Sequence, residues 1–252
     1  MKNLLASLLA LSIGTLGWGQ TIVNTETLML SGDSGFVWTA GVGGDASFGN
    51  SDVVDVSADA GFTKDWGKTA IKLVSSWNRL AEEGSSIQSS SFAHLRGEFG
   101  NVDQLQLFGF VQTSSNDVLN MTTRNLIGTG LKRRLIEGEG GWLALSWGAF
   151  YEVEQYSMEI PTSEMLRNSV VLSGGKGLGE HVFVRVTSYA QSDFRNFSDS
   201  RVFVEWTWDI SIRESVALEW NLAARWDGDP HGGLEPLDVG TTVGLRFGFA
   251  GG

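Results

Sequence analysis

From Gly35 onward the chain alternates apolar and polar residues with a period of two. The stretch RVFVEWTWDI (201–210) shows it well. Val202, Val204, Trp206, Trp208 and Ile210 fall on one face, and Arg201, Phe203, Glu205, Thr207 and Asp209 on the other. This period marks a strand whose two faces meet different surroundings. The pattern predicts twelve strands: 36–48, 53–63, 68–80, 87–99, 104–113, 119–135, 141–155, 167–175, 181–190, 201–210, 215–226 and 238–249. The late runs are the cleanest. Those around 89–93, 123–129 and 168–174 carry small or polar residues on both faces. No helical period survives past the N-terminus, and no repeat longer than a hairpin is visible.

The connections alternate as well. Short ones (65–68, 100–103, 137–141, 176–180 and 211–214) interleave with longer ones (80–86, 114–118, 156–164, 192–200 and 227–237). GNSD (49–52) is the exception, a short connection on the long side. Unlike rims with antiparallel neighbours are the arrangement of bacterial outer-membrane barrels.

Alternation does not say which face points inward. Twelve strands with an apolar interior would enclose more space than their side chains fill, since eight already leave room for only one small ligand. Aromatic residues gather toward run ends, at Phe36, Trp38, Phe48, Trp66, Trp77, Trp142, Tyr151, Trp226, Phe247 and Phe249. Such positions suit the aromatic girdles of a membrane barrel. The expected fold is therefore all-β, a twelve-stranded antiparallel transmembrane β barrel with an up-and-down meander. Lys72, Arg96, Arg185, Arg201, Glu205, Asp209, Glu219, Arg225 and Arg246 are expected to face the lumen. Val204, Trp206, Trp208, Ile210, Leu218, Trp220, Leu222, Val243, Leu245 and Phe247 are expected to face lipid. Mixed signs on the polar faces favour a self-paired, largely filled interior, because sharply selective pores ring one sign of charge.

Composition narrows the picture. There are 33 glycines, 3 prolines and no cysteine among 252 residues. Disulfides and thiolate metal sites are thereby excluded. The formal charge of −11 argues against nucleic-acid binding. Lys2, the apolar run Leu4–Leu16 and the small residues Gly17 and Gly19 read as an export signal cleaved near Gly19. The expected organisation is a signal peptide over 1–19, a periplasmic lead-in over 20–34 and an outer-membrane barrel over 35–252. The expected partners are outer-membrane lipid, lipopolysaccharide and the barrel-assembly machinery.

Candidate chemistry is sparse. A Ser-His-carboxylate hydrolase would be built around His94 or His181, but no nucleophile motif flanks either. Asp227, Asp229, His231, Glu235 and Asp238 crowd one connection with hard ligands, at a spacing unlike an EF-hand. GGKGLG (174–179) lacks the phosphate-loop lysine pattern and reads as a turn. No catalytic, cofactor or metal residue is assigned. A non-enzymatic barrel with a structural or narrow solute-passing role leads. An outer-membrane hydrolase of phospholipase type, or a soluble β sandwich binding an apolar ligand, are the alternatives.

Several stretches carry a resemblance. They are IVNTETL (22–28) running on to GNSD (49–52), RNLIGTGLKRRL (124–135), GAFYEVEQY (148–156) and LAARWDGDPHGGLEPLDVGTTVGLRFGF (222–249). Together they resemble the salt-induced outer membrane proteins of Gram-negative bacteria, a family of unknown function, over essentially the whole mature chain. The resemblance implies an outer-membrane barrel and no established activity. One departure is the ending Phe249-Ala250-Gly251-Gly252, where such barrels finish on an aromatic residue.

Overall fold

The computed structural model describes residues 22–28, 35–48, 52–138, 140–157, 161–213, 216–230 and 235–247. These residues form one sheet of twelve antiparallel strands, each paired with the next in sequence. The strands are β1 (Phe36–Ser47), β2 (Val53–Asp65), β3 (Thr69–Glu82), β4 (Ser85–Asn101), β5 (Leu105–Asn116), β6 (Met121–Gly138), β7 (Gly141–Tyr156), β8 (Ser163–Leu178), β9 (Val182–Asp193), β10 (Ser200–Arg213), β11 (Val216–Asp227) and β12 (Leu237–Phe247). A one-turn helix, α1 (Thr25–Leu28), precedes the sheet. No ladder joins β12 to β1 among the described residues. The export-signal stretch 1–19 lies outside them.

All twelve expected runs are strands, and most extend further than the alternation shows. The three runs with small or polar residues on both faces are continuous parts of β4, β6 and β8. An antiparallel ladder bonds every backbone group whatever the side chains are, so strand continues where the apolar pattern fades.

One rim carries only connections of two or three residues, between β2 and β3, β4 and β5, β6 and β7, β8 and β9, and β10 and β11. The other rim is longer, with one correction to the expected pattern. Residues 80–86 are not a long loop. β3 and β4 run on to the pair Glu82↔Ser85, leaving a two-residue turn at Glu83-Gly84 with φ of 50° and 78°. Two positive φ values in succession are the primed turn that matches strand twist, and Gly84 adopts one without strain. Of GNSD, residues 49–51 lie outside the description.

The sheet is strongly curved. Arg201 on β10 reaches Glu152 and Glu154 on β7, at 3.1 and 2.8 Å. Three strand spacings of about 4.8 Å separate those strands in a flat sheet, so the side chains meet only across a concavity. The concave face is polar and buried. Arg124 is 1% exposed, and Arg167, Glu152 and Glu154 are fully buried. The convex face is apolar and open, with Val42 82%, Trp38 66% and Ile127 60% exposed. Aromatic residues at strand ends, including Phe36, Phe48, Trp66 and Trp226, are exposed there too.

Candidate functional site

The alternation of GAFYEVEQY turns Glu152 and Glu154, two residues apart on β7, to the concave side. They sit toward the rim with longer connections, and three guanidiniums converge on them. Arg124 on β6, directly opposite Glu154 in register, bonds Glu152 at 2.5 Å and pairs with Glu154 at 3.0 Å. Arg167 on β8 donates to the other Glu152 oxygen at 2.5 Å and to Asp199 at 2.7 Å. Arg201 donates to both oxygens of Glu154, at 2.8 and 3.1 Å, and its Nε pairs with Asp227 at 3.1 Å. The Tyr156 hydroxyl donates to Glu154 at 2.8 Å. Charges this deep are tolerated only when paired and hydrogen-bonded. Three cations against four carboxylates meet that demand in a layer across the concavity.

A second cluster forms around α1. Arg96 on β4 donates to Glu26 at 2.8 Å, and Lys132 on β6 donates to its other oxygen. Glu98 pairs with both Arg96 and Lys72 at 3.0 Å. The Glu26 backbone N–H donates to the Tyr189 hydroxyl on β9 at 3.3 Å, and Asn24 donates to Glu205 on β10 at 2.7 Å. Ile22 is buried with Val171, Tyr189, Phe203 and Ala223. The described part of the 20–34 lead-in is thus seated inside the concavity, touching strands from β4 to β10. Burial by itself raises the Glu26 carboxyl, but the Lys132 ammonium and Arg96 guanidinium outweigh it and hold the group well below the usual carboxylate range.

The expected lumen charges lie on the concave side wherever their side chains are described. Asp209 and Glu219 stand directly opposite each other on β10 and β11. Like charges so placed repel, and Arg185 offsets this at 2.9 Å from Asp209 and 3.9 Å from Glu219. Arg225 lies over the Phe203 ring, 5.0 Å from its centre. Among the expected outward residues, Trp206, Trp220, Val243 and Leu245 are exposed. Val204, Trp208, Ile210, Leu218 and Leu222 are half-buried by neighbours on the same face. Trp208 stacks on Trp220 with centroids 4.6 Å apart. Arg246 and Phe247 keep register opposite Ala217 and Val216, and their side chains lie outside the description.

Between the two clusters lies a cleft of about 620 Å³ including its mouth. His94 and Gln191 line it, with the rings of Phe108, Phe110 and Phe150. Gly128 makes room for the Phe110 ring and the Cβ of Phe150. A Cβ there would sit 2.7 Å from Phe110 and 2.6 Å from Phe150. His94 meets Gln112 at 3.1 Å and stacks on Phe110. No serine or carboxylate bonds it among the described residues, so they assemble no hydrolase triad around it. His181 lies in the β8–β9 turn, and His231 is outside the description. Among the described residues no group of histidines and carboxylates is placed to hold a metal. In the crowded connection after β11, Asp227 is turned inward to Arg201.

The residues sequence reasoning missed are the anchors of both clusters: Glu26, Arg124, Glu152, Glu154, Arg167 and Asp199. A signal existed for four of them. Arg124, Glu152, Glu154 and Arg167 each sit at the polar parity of their strand, but their mutual contacts cross strands and are invisible in a linear pattern.

A family model described as "Protein of unknown function, DUF481" matches residues 40–249. No curated protein matches the chain. The structure is similar to that of the NanC porin, with a TM-score of 0.46 and 11% identity over 83% of this chain and 99% of the porin. It is also similar to the β domain of the Bordetella autotransporter BrkA, with a TM-score of 0.40 and 11% identity over 85% of this chain and 99% of that domain.

Proposed function

The chain belongs to this family of unknown function, and we propose that it is a non-enzymatic outer-membrane β barrel, stoppered by its own N-terminal segment, that passes small solutes when the stopper leaves. The inversion of the sheet carries the reading. Large apolar side chains cover the convex face while arginines and glutamates are buried in the concavity. Water would reward the opposite arrangement, and a hydrocarbon exterior rewards this one. A soluble sandwich would bury its apolar faces between two sheets, and here they are open.

Edge strands exposed to lipid leave backbone groups unbonded, so β1 and β12 pair to close the barrel in the membrane. The short connections face the periplasm and the longer ones the lipopolysaccharide. Residues 1–19 direct export, and the barrel-assembly machinery inserts the mature chain. Kinship with the salt-induced outer membrane proteins of Gram-negative bacteria belongs to the same proposal. The two charge clusters and α1 crowd the concavity and leave a cleft between them, which supports a narrow, closed conduit over an open porin.

Fractionation and bilayer recording test this. The protein is expected in the detergent-extracted outer-membrane fraction, and recovery in the soluble periplasm overturns the barrel. Refolded protein in planar bilayers is expected to stay mostly silent. A variant lacking residues 22–28 is expected to show discrete current steps, and no steps from that variant overturns passage.

A further inference from the structure

The cleft between the clusters is lined by groups whose bonding is incomplete. His94 and Arg96 are each 4% exposed and Gln191 is 9% exposed. Yet His94 Nε2, Arg96 Nη2 and Gln191 Oε1 have no hydrogen-bond partner among the described residues. All three residues line the same cavity. Buried polar atoms are nearly always matched, so three left open around one space point to something that fills it.

Their chemistry describes the occupant. The His94 Nδ1 lies 3.1 Å from Gln112 Oε1, an oxygen that only accepts. That contact assigns the proton to Nδ1 and leaves a lone pair on Nε2. Gln191 Oε1 is a second acceptor, and Arg96 Nη2 is a donor. The occupant must therefore offer at least two O–H or N–H donors and one acceptor oxygen.

Charge and shape narrow it further. Arg96 is already neutralised by Glu26 and Glu98, and Arg124 by Glu152 and Glu154. Each of the two guanidiniums that line the chamber, Arg96 and Arg124, thus already faces two carboxylates. Phe108, Phe110 and Phe150 form a row with centroids 6.4 and 6.2 Å apart, an apolar wall beside the polar groups. The Arg96 guanidinium lies over Phe108, 4.0 Å from the ring centre, which fixes its direction. An apolar wall with a few convergent polar groups is the usual build of a small-molecule site.

We infer that this chamber binds a neutral, polyhydroxylated molecule of about monosaccharide size, its hydroxyls on His94, Gln191 and Arg96 and its C–H face on the phenylalanine row. Binding needs the chamber alone and does not depend on conduction or on insertion into a membrane.

The test uses the full mature chain refolded in detergent micelles. Glucose binding is followed by saturation-transfer NMR and equilibrium dialysis, with gluconate and glycerol in parallel. Saturable glucose binding is expected, with gluconate at least tenfold weaker. The Gln191→Leu variant is expected to lose tenfold or more in glucose affinity. Its unfolding midpoint should stay level or rise, because an unmatched buried acceptor has been removed. That melting measurement separates a lost ligand contact from a lost fold. A chamber holding water only shows no saturable glucose binding and overturns the inference. So does glucose binding that Gln191→Leu leaves unchanged. Gluconate binding tighter than glucose overturns the neutral class. Bilayer silence of the variant lacking residues 22–28 would sink the passage reading and leave this result untouched.

Discussion

The two buried clusters solve the same electrostatic problem in different ways. The layer around Glu152 and Glu154 is built from β6, β7, β8 and β10, with Asp199 and Asp227 at the ends of longer connections. Both glutamates and all three guanidiniums are fixed in strands, and each glutamate serves at least two guanidiniums. The cluster around Glu26 is completed by a separate segment held by a few side-chain contacts. Its members are more accessible, and two of its cations are lysines, compact charges on flexible stems rather than planar forks. The first cluster can change only if the sheet changes. The second depends on a segment that lies outside the twelve-stranded ladder. A built-in layer and a separately held segment thus occupy one concavity.

The largest effect should come from breaking the first cluster. Glu152→Gln leaves Arg124, Arg167 and Arg201 buried with one shared carboxylate charge gone. Loss of one partner from a buried ion network costs about 3–5 kcal/mol. Urea titration in detergent should show a markedly lower midpoint, and a variant as stable as the parent would remove the distinction between the clusters.

Glu26→Gln should leave the fold melting near the parental temperature. It loses two charge-assisted bonds, about 2 kcal/mol in the docking of α1, or roughly thirtyfold in that equilibrium. Bilayer recordings should then show openings that the parent rarely makes. Sheet destabilisation equal to that of Glu152→Gln would mean the segment is part of the wall.

Acid should act on the stopper through the same residue. The docked Glu26 carboxyl lies below its ordinary value of 4.5. Its contribution to docking is therefore complete above that value and is lost as pH falls below it. Conductance should be flat from pH 8 to 5 and rise below about 4.5. Arg96, Lys132, Tyr189 and His94 also face the segment. Glu26→Gln isolates the effect: its conductance should lose the acid-dependent rise.

The smallest effect should come from Arg134→Ala. This side chain pairs with Glu137 and Asp103 at an exposed rim. Exposed pairs contribute less than about 1 kcal/mol, so urea midpoints should barely move. A large loss there would show that rim pairs, and not only the buried layer, hold the sheet.

The fold was readable because the strand period is local. Val202 to Ile210 against Arg201 to Asp209 needs only the geometry of one strand, and so do the other eleven. The unlike rims were readable for the same reason, except at Glu83-Gly84, where a polar Glu-Glu-Gly stretch looks like a loop until the ladder is seen to continue. The candidate site was readable only in part. Arg201 and Arg96 announced themselves as charges at polar parity, but nothing along the chain marks Glu152 as the acceptor of three arginines.

The sequence by itself therefore determined twelve strands, their two chemically opposite faces and the balance of signs on the polar one, because side-chain parity follows directly from backbone pleat. Only the tertiary structure decided that the polar face is the concave one, that Glu26 returns to sit between Arg96 and Lys132, and that a chamber lies between two charge layers. Those facts depend on curvature, which brings together residues as distant along the chain as Asn24 and Glu205, and curvature leaves no periodic trace in the sequence.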